Sequence, residues 1–421
     1  MKPTASSRSQ TMTAEGITTT QTLLFSVAAG IIVTNLFATQ TVVAQIGKYF
    51  EMDPGNVGLV SMLTMFGYAF GMIFLLPLID KLENRGLILG TIITSVLSLI
   101  CAAMAPTEDL FLLAIFVVGG SSSALQMIVV TSALHSPESS RGRVVGSVMS
   151  GLMLGVLFSR PLGSLIGGEF GWHAIYRASA FAQIVLALLL ARVLPTHKPP
   201  NSHRYFASLA SLPRLLVFEP LLRRRALYQA LLMITFNIFW TAVAWRLAEP
   251  PFKLGANGIA LFALVGAGGA IISPLAGRAG DRGHSGFATL AAHVTVVSGI
   301  VLAIVAAGSW GWSHSLIHPW VRMSGLAIAA LLLDIGVVAD QALGRRAINM
   351  IRPEARGRIN GLFTGMFFIG GAVGAALAGP AWAYGGWNGL CCAAFIPAFL
   401  ALLLRLSEPG MAVGQIGATS R

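Results

Sequence analysis

Charge is what this sequence has least of. Asp, Glu, Lys and Arg together make up 10% of its 421 residues, where a soluble domain carries about 25%. So few charges cannot coat a globular surface, which argues against a soluble enzyme or binding domain. Cysteine is scarce as well. Cys101, Cys391 and Cys392 all sit in apolar stretches, and two of them are adjacent. That argues against a disulfide framework and against a zinc site. No Gly-x-x-x-x-Gly-Lys-Ser/Thr phosphate loop occurs, so ATP hydrolysis by this chain is not expected. The glycine-rich run from Gly266 to Ala270 lies inside an apolar segment and cannot be such a loop. No His-Glu-x-x-His motif occurs, and no nucleophile, base or metal-ligand set gathers at one depth. The chain is read as a non-enzyme with no cofactor.

The formal net charge of +12 first suggests a nucleic-acid partner. The bases lie in short loops between apolar spans, however, which is membrane topology rather than a groove for phosphates. No nucleic-acid partner is expected; the lipid bilayer is.

What the sequence has in abundance is apolar length. Hydrophobic residues reach 55% and the mean hydropathy is +0.76. A helix crossing a bilayer needs roughly 20 apolar residues. Spans are expected at about 23–47, 56–78, 86–104, 110–133, 144–167, 174–195, 226–248, 257–277, 286–308, 322–343, 359–382 and 387–406. The 47 glycines and 19 prolines fit, because neighbouring helices re-satisfy freed backbone groups in membranes. Trp310, Trp312 and Trp320 mark an interfacial segment between the ninth and tenth spans. The fold class expected is an all-α integral membrane protein with twelve transmembrane helices in two six-helix bundles. The divisions are a polar N-terminus over 1–21, a first half over 22–195, a basic linker over 196–225, a second half over 226–406 and a tail over 407–421. One set of loops carries Lys81, Arg85, Arg141, Arg143, Arg223, Arg278 and Arg282, and the alternate set carries few bases. The first set is cytoplasmic by the positive-inside rule, which puts both termini in the cytoplasm.

The halves are related. Arg141-Gly142-Arg143 opens the fifth span and Arg356-Gly357-Arg358 the eleventh, each after a Pro-Glu pair (Pro137-Glu138, Pro353-Glu354). From each first arginine, 31 residues lead to the tryptophan of a Gly-Trp pair, Gly171-Trp172 and Gly386-Trp387. Gly155 aligns with Gly370 without gaps. Asp80-Lys81 after the second span echoes Asp281-Arg282 after the eighth. Such repeats are typical of secondary transporters, whose substrate site lies near the midplane between the halves.

These features together resemble the major facilitator superfamily over nearly the whole chain. The loop motif of that family reads Gly-x-Leu-Ala-Asp-Arg-x-Gly-Arg-Arg. The second copy here keeps Gly277, Asp281 and Arg282; the first keeps Asp80 and Lys81 but has Leu76 and Glu83 where glycines are usual. The resemblance implies that Asp80, Lys81, Arg85, Asp281, Arg282 and Asp340 form a conformational latch. Thr34 to Gln40 and Phe66-Gly67-Tyr68 look like the bacterial efflux branch of drug and sugar permeases. That implies a bacterial inner membrane, a small-molecule substrate, protons as the coupling ion and a monomer. Two departures stand out. Arg160 occupies the position before Pro161, and Ile115 stands where antiporters carry an arginine.

Ionisable residues inside the hydrocarbon are functional candidates by default, since each costs roughly 2.5–3.5 kcal/mol on insertion scales. Arg160 has Ala375 as its repeat counterpart, so a permanent cation occurs in one half only. It reads either as an anion-binding residue facing a central cavity or as a structural arginine on backbone carbonyls. Asp334 lies mid-span, with Gln341 seven residues on and on the same helical face. Asp334 reads either as a proton carrier or as an acid paired to a neighbouring helix. Asp340 is expected to meet Arg278 or Arg282. Asn35, Tyr68, Gln126, Asn237, Trp240 and Gln341 are candidate cavity residues, with helix–helix hydrogen bonding as the alternative. Arg246 is expected to reach toward the interface. His293 reads as hydrogen-bonded structure rather than a relay. Two transport readings stay open, proton-coupled efflux and proton-coupled uptake of an organic anion. A non-transporting sensor or enzyme is a third reading.

Overall fold

The computed structural model describes residues 17–198, 205–308, 318–351 and 356–408, and its regular structure is helical throughout. The helices are α1 (Thr19–Phe37), α2 (Val43–Tyr49), α3 (Leu59–Phe70), α4 (Asn84–Met104), α5 (Glu108–Ser121), α6 (Ala124–Leu134), α7 (Glu138–Phe170) and α8 (Trp172–Val193). They continue with α9 (Tyr205–Phe218), α10 (Pro220–Ala248), α11 (Ala256–Ala263), α12 (Gly268–Asp281), α13 (Ser285–Ala307), α14 (Pro319–Ile348) and α15 (Arg356–Leu406). Among the described residues, ten helical stretches are long and apolar enough to cross a membrane. The Gly357–Leu406 stretch is two helices joined at Gly386. The pair α11–α12, joined by a 3₁₀ turn over Leu264–Ala267, supplies the remaining crossing. Twelve crossings result, in two bundles of six.

The matched Gly-Trp pairs explain themselves at the backbone. Gly171 has φ 77° and Gly386 has φ 54°. Both are left-handed conformations that glycine adopts without a Cβ penalty. Each lets the chain leave one span and re-enter the next directly. Trp172 and Trp387 then turn inward and are buried.

Glycine also sets the packing inside each half. Gly151 and Gly155 of α7 lie against the backbone of Ser26 and Gly30 in α1, and Gly370 and Gly374 of α15 lie against Ala230 and Ile234 in α10. Small residues let helices approach closely where lipid tails offer no hydrophobic drive between them. The same contact therefore appears in both halves at equivalent helices. The halves meet along the first half's second span and the second half's α15, from Ile73 against Gly365 near the basic loops to the opposite end. There Gly58 faces the Ala375 carbonyl, Gly379 faces the Gly55 carbonyl, and Ser164 Oγ donates to the Ala256 carbonyl at 2.9 Å.

The structure bears on three expectations. The segment read as a linker holds a helix, α9, and α10 begins at Pro220 rather than 226. Leu212, Leu215 and Leu216 explain α9: spaced three and one apart, they form an apolar face on Leu222, Ile348, Ile359 and Phe363. Arg246 lies two residues from the end of α10 and reaches the end of α13. It is buried, and it donates to the Ala307 carbonyl at 3.0 Å and the Pro250 carbonyl at 2.7 Å. Arg322 donates to Ala306 and Gly308, so two guanidinium groups cap the negative end of α13. Trp310 and Trp312 lie outside the described residues.

Candidate functional site

Two breaks in regular helix meet within the bundle. The first spanning helix is interrupted by a 3₁₀ turn over Ala38–Thr41, and the eighth by the turn over Leu264–Ala267. Irregular backbone at membrane depth is tolerated only where protein or a cavity surrounds it. Here the turns carry Gln40 and Gly266 to opposite sides of the same group of side chains.

That group centres on Arg160 of α7, which is buried. Its Nε donates to Gln40 Oε1 at 3.2 Å. Gln40 Nε2 in turn donates to Asn237 Oδ1 at 2.9 Å, and Asn237 Nδ2 donates to the Met233 carbonyl at 3.3 Å. Three rings surround the guanidinium: Trp240 at 4.4 Å, Phe37 at 5.3 Å and Phe236 at 5.4 Å. Arg160 Nη2 is buried with no hydrogen-bond partner among the described residues. Cation–π contacts of this kind contribute about 2 kcal/mol when desolvated, yet they leave the in-plane N–H groups free to donate.

Trp240 joins the cation to an acid. Its indole Nε1 donates to Asp334 Oδ1 at 2.9 Å. The indole thus touches both, with the guanidinium over its face and the carboxylate at its N–H edge. The other carboxylate oxygen lies over Gly266, where a Cβ would stand 2.5 Å from it. The site thus draws on α7 and the first spanning helix from one half, and on α10, the eighth helix and α14 from the other. Motion of one half against the other must change these contacts.

Arg160, Asn237, Trp240 and Asp334 are brought together. Gln40, Gly266, Phe37 and Phe236 join them and were not among the residues the sequence singled out. Asn35 is buried one turn and a half from Gln40, and neither its Oδ1 nor its Nδ2 has a partner among the described residues. Tyr68 and Gln126 lie beside one another, with the Tyr68 ring edge-on to Phe368 at 4.3 Å and its hydroxyl near Arg345. That pair lies apart from the Arg160 network. Gln341, half-buried, is not joined to the network either.

Four of the residues grouped as a latch, Lys81, Arg85, Asp281 and Asp340, each contact a neighbour outside the group. Asp281 pairs with Arg346 at 2.8 Å within the second half. Arg85 donates to the Ala191 carbonyl within the first half. Lys81 lies over the Tyr205 ring at 5.8 Å, and the Tyr205 hydroxyl donates to the Phe74 carbonyl at 2.7 Å. Asp80 closes the 3₁₀ turn Leu76–Asp80, and the Arg282 backbone closes the end of α12. Asp340 does not meet Arg278 or Arg282. It faces inward, where it contacts His293 at 3.3 Å and Arg225 at 3.8 Å. Six residues past Asp334, the helical turn has rotated it from the α12 side toward α13 and α10.

Comparison with known proteins agrees with this architecture. Residues 23–339 match the model of the Major Facilitator Superfamily. The chain is 31% identical over 382 residues to the uncharacterised transporter YgaY of Escherichia coli (strain K12), covering 91% of this chain and 94% of that protein. It is 28% identical to the transporter SCO4007 of Streptomyces coelicolor, covering 88% and 83%. Among solved structures, a point mutant of the nucleoside transporter NupG superposes with a TM-score of 0.67 at 15% identity, covering 91% and 98%. An inward-facing, occupied bacterial homologue of the human lysosomal transporter Spinster superposes at 0.64 and 14%, covering 91% and 93%. At such identities the likeness speaks for the fold alone.

Proposed function

The chain belongs to the major facilitator superfamily, and on that premise we propose that this transporter exports a small drug-like or metabolite substrate in exchange for protons. The observation that carries the proposal is the linkage of Arg160, Trp240 and Asp334 across the two halves. A buried carboxylate with one hydrogen-bond donor and a cation nearby can exist with or without a proton. Its proton state changes how strongly Arg160 is held. With Asp334 ionised, Arg160 is drawn toward the indole and the acid. With Asp334 protonated, the site loses its carboxylate acceptor while Arg160 stays charged, so a substrate group held by the ionised acid is released as the proton binds. Opposite preferences for substrate and proton are what exchange requires, because a ligand shifts a two-state equilibrium only by its differential affinity.

Alternating access then amounts to rocking of the halves about this midplane site. The basic loops face the cytoplasm, with both termini inside, in a bacterial inner membrane. Asn35, Tyr68, Gln126 and Gln341 line the route on the cytoplasmic side of the site. Asp80, Lys81, Arg85, Asp281 and Arg282 hold the loop ends in one state of the cycle.

A second reading, uptake of an organic anion together with protons, is favoured by one feature, the Nη2 of a permanent cation left without a partner among the described residues. Flux into right-side-out and inverted vesicles under an imposed pH gradient separates the two. Opposite movement of substrate and protons supports export; movement in the same direction rejects it. Asp334→Asn is expected to abolish dependence on the pH gradient while retaining substrate binding. Unchanged dependence removes Asp334 from the coupling role.

A further inference from the structure

A second buried cluster, on α10, α13, α14 and α15, takes no part in the site above. His293 and Asp340 are both fully enclosed, with side-chain exposures of 0% and 1%. The two ring nitrogens of His293 each face an oxygen: Nδ1 the Ala401 carbonyl at 3.2 Å, Nε2 the Asp340 Oδ1 at 3.3 Å. A carbonyl oxygen only accepts, so Nδ1 must carry hydrogen. An ionised carboxylate also only accepts. A neutral ring protonated at Nδ1 would therefore turn its Nε2 lone pair onto a carboxylate lone pair. That contact is repulsive, and a buried polar group left without a partner costs about 1–3 kcal/mol. Donor and acceptor parity is met only when the pair holds one proton more than a neutral imidazole and a free carboxylate.

We propose that His293 and Asp340 form a proton-binding site of their own in the second half, holding one shared proton at neutral pH. The proton resides either on Nε2 as imidazolium or on the Asp340 carboxyl, and both arrangements place one hydrogen between the same two atoms. Charged and titratable groups approach the pair from α10 and α15. From α10, Arg225 Nη1 lies 3.8 Å from Asp340 Oδ1 and donates to Thr289 Oγ1 at 2.8 Å. Also from α10, the Tyr228 ring stands edge-on to the His293 ring at 5.0 Å. Its hydroxyl donates to Glu408 Oε1 at 2.6 Å. Glu408 is also held by Arg405 of α15 and faces Arg224 at 3.9 Å. The Glu408 carboxylate is thereby engaged elsewhere, and Asp340 is left as the counter-charge to Arg225 and His293. Asp340 Oδ2 is buried without a hydrogen-bond partner among the described residues.

Loss of the shared proton would remove the tie between α13 and α14. The carboxylate would then turn its free oxygen to Arg225 on α10. Arg225 is 12% exposed, the most accessible of the three, and gives the cluster its access to solution at the basic end. Proton binding here sets how α10, α13 and α14 are fastened, six residues along α14 from Asp334. The proposal does not depend on the direction of transport or on Asp334 as coupler.

The test is nitrogen-15 magnetic resonance of histidine-labelled protein in lipid, combined with isotope-edited infrared spectroscopy of aspartate. Of the eight histidines, His293 is assigned by loss of its signal in His293→Gln. Its contact with the Tyr228 ring in the intact protein provides the assignment should that variant not fold. The expected result at neutral pH is a doubly protonated His293 ring, or a protonated carboxyl band that Asp340→Asn removes. In Asp340→Asn the amide can donate to Nε2, so His293 should become singly protonated at Nδ1. A singly protonated His293 together with an ionised Asp340 in the intact protein overturns the proposal.

Discussion

The charge linkage at the centre of the protein can be weighed by removing each end of it in turn. Arg160 and Asp334 are not in direct contact; the indole of Trp240 lies between them, 4.4 Å from the guanidinium carbon and bonded to the carboxylate at 2.9 Å. Charges on the order of 7 Å apart attract by about 2 kcal/mol at an effective dielectric constant near 20. Arg160→Gln discards that attraction, the three ring contacts and the charge-assisted bond to Gln40. It also strands a buried carboxylate, so the single substitution is expected to cost roughly 3–5 kcal/mol. Asp334→Asn is milder, because the amide oxygen still accepts from Trp240 and Arg160 keeps its cage. In the double variant nothing charged is stranded. The sum of the single losses should then exceed the double loss by about 2 kcal/mol, a factor of roughly 30 in the unfolding equilibrium. Unfolding of purified protein in mixed micelles, titrated with a denaturing detergent, reads all four corners of the cycle. Additivity within about 0.5 kcal/mol would refute the linkage and with it the idea that one charge reports on the other.

Three further substitutions probe the same frame. Trp240→Phe keeps a ring beneath Arg160 but deletes the donor to Asp334; it should cost about 1–3 kcal/mol by the same titration, and less in the Asp334→Asn background. Gly266→Ala puts a methyl group 2.5 Å from the Asp334 carboxylate; transport in vesicles should fall while protein level and mobility in gel filtration stay normal. Gly58→Val drives a side chain into the Ala375 carbonyl where the halves meet. Cysteines placed beside the site should then react faster with an impermeant thiol reagent from that side, and an unchanged rate would mean the contact is not a seal.

Much of the scaffold was legible because it follows from periodic, one-dimensional rules. Apolar length sets the spans, and the Gly-Trp pairs marked two equivalent turns whose positive φ needs glycine. Arg160 and Asp334 were legible as charges in apolar surroundings. Gln40 was not, because its role depends on the 3₁₀ turn over Ala38–Thr41, which rotates it away from the face a continuous helix would give it. Gly266 was hidden for the same reason at Leu264–Ala267. Asp340 was assigned to the wrong neighbours because an acid near a basic loop suggests surface pairing. The choice between Arg282 and His293 rests on helix rotation that sequence spacing fixes only to within a residue. Helix α9 was missed because its apolar face is short and is completed only by Ile348, Ile359 and Phe363 from distant helices.

The repeat also explains why one half alone carries the central cation. Ala375, the counterpart of Arg160, is fully buried, and its carbonyl faces Gly58 at the contact between the halves. An arginine at 375 would have to fit a fully buried position beside this close backbone contact between α3 and α15. At 160 the facing surface is different: Phe37, Phe236 and Trp240 form a cage wide enough for the cation, and the 3₁₀ turns supply Gln40 and Gly266 at its edges. A symmetric pair of arginines would also place two buried like charges against one acid. The duplicated fold therefore uses the same helix position for two tasks, close contact in one half and charge in the other. The asymmetry required of a site that binds a substrate group on one side and a proton on the other arises from that division.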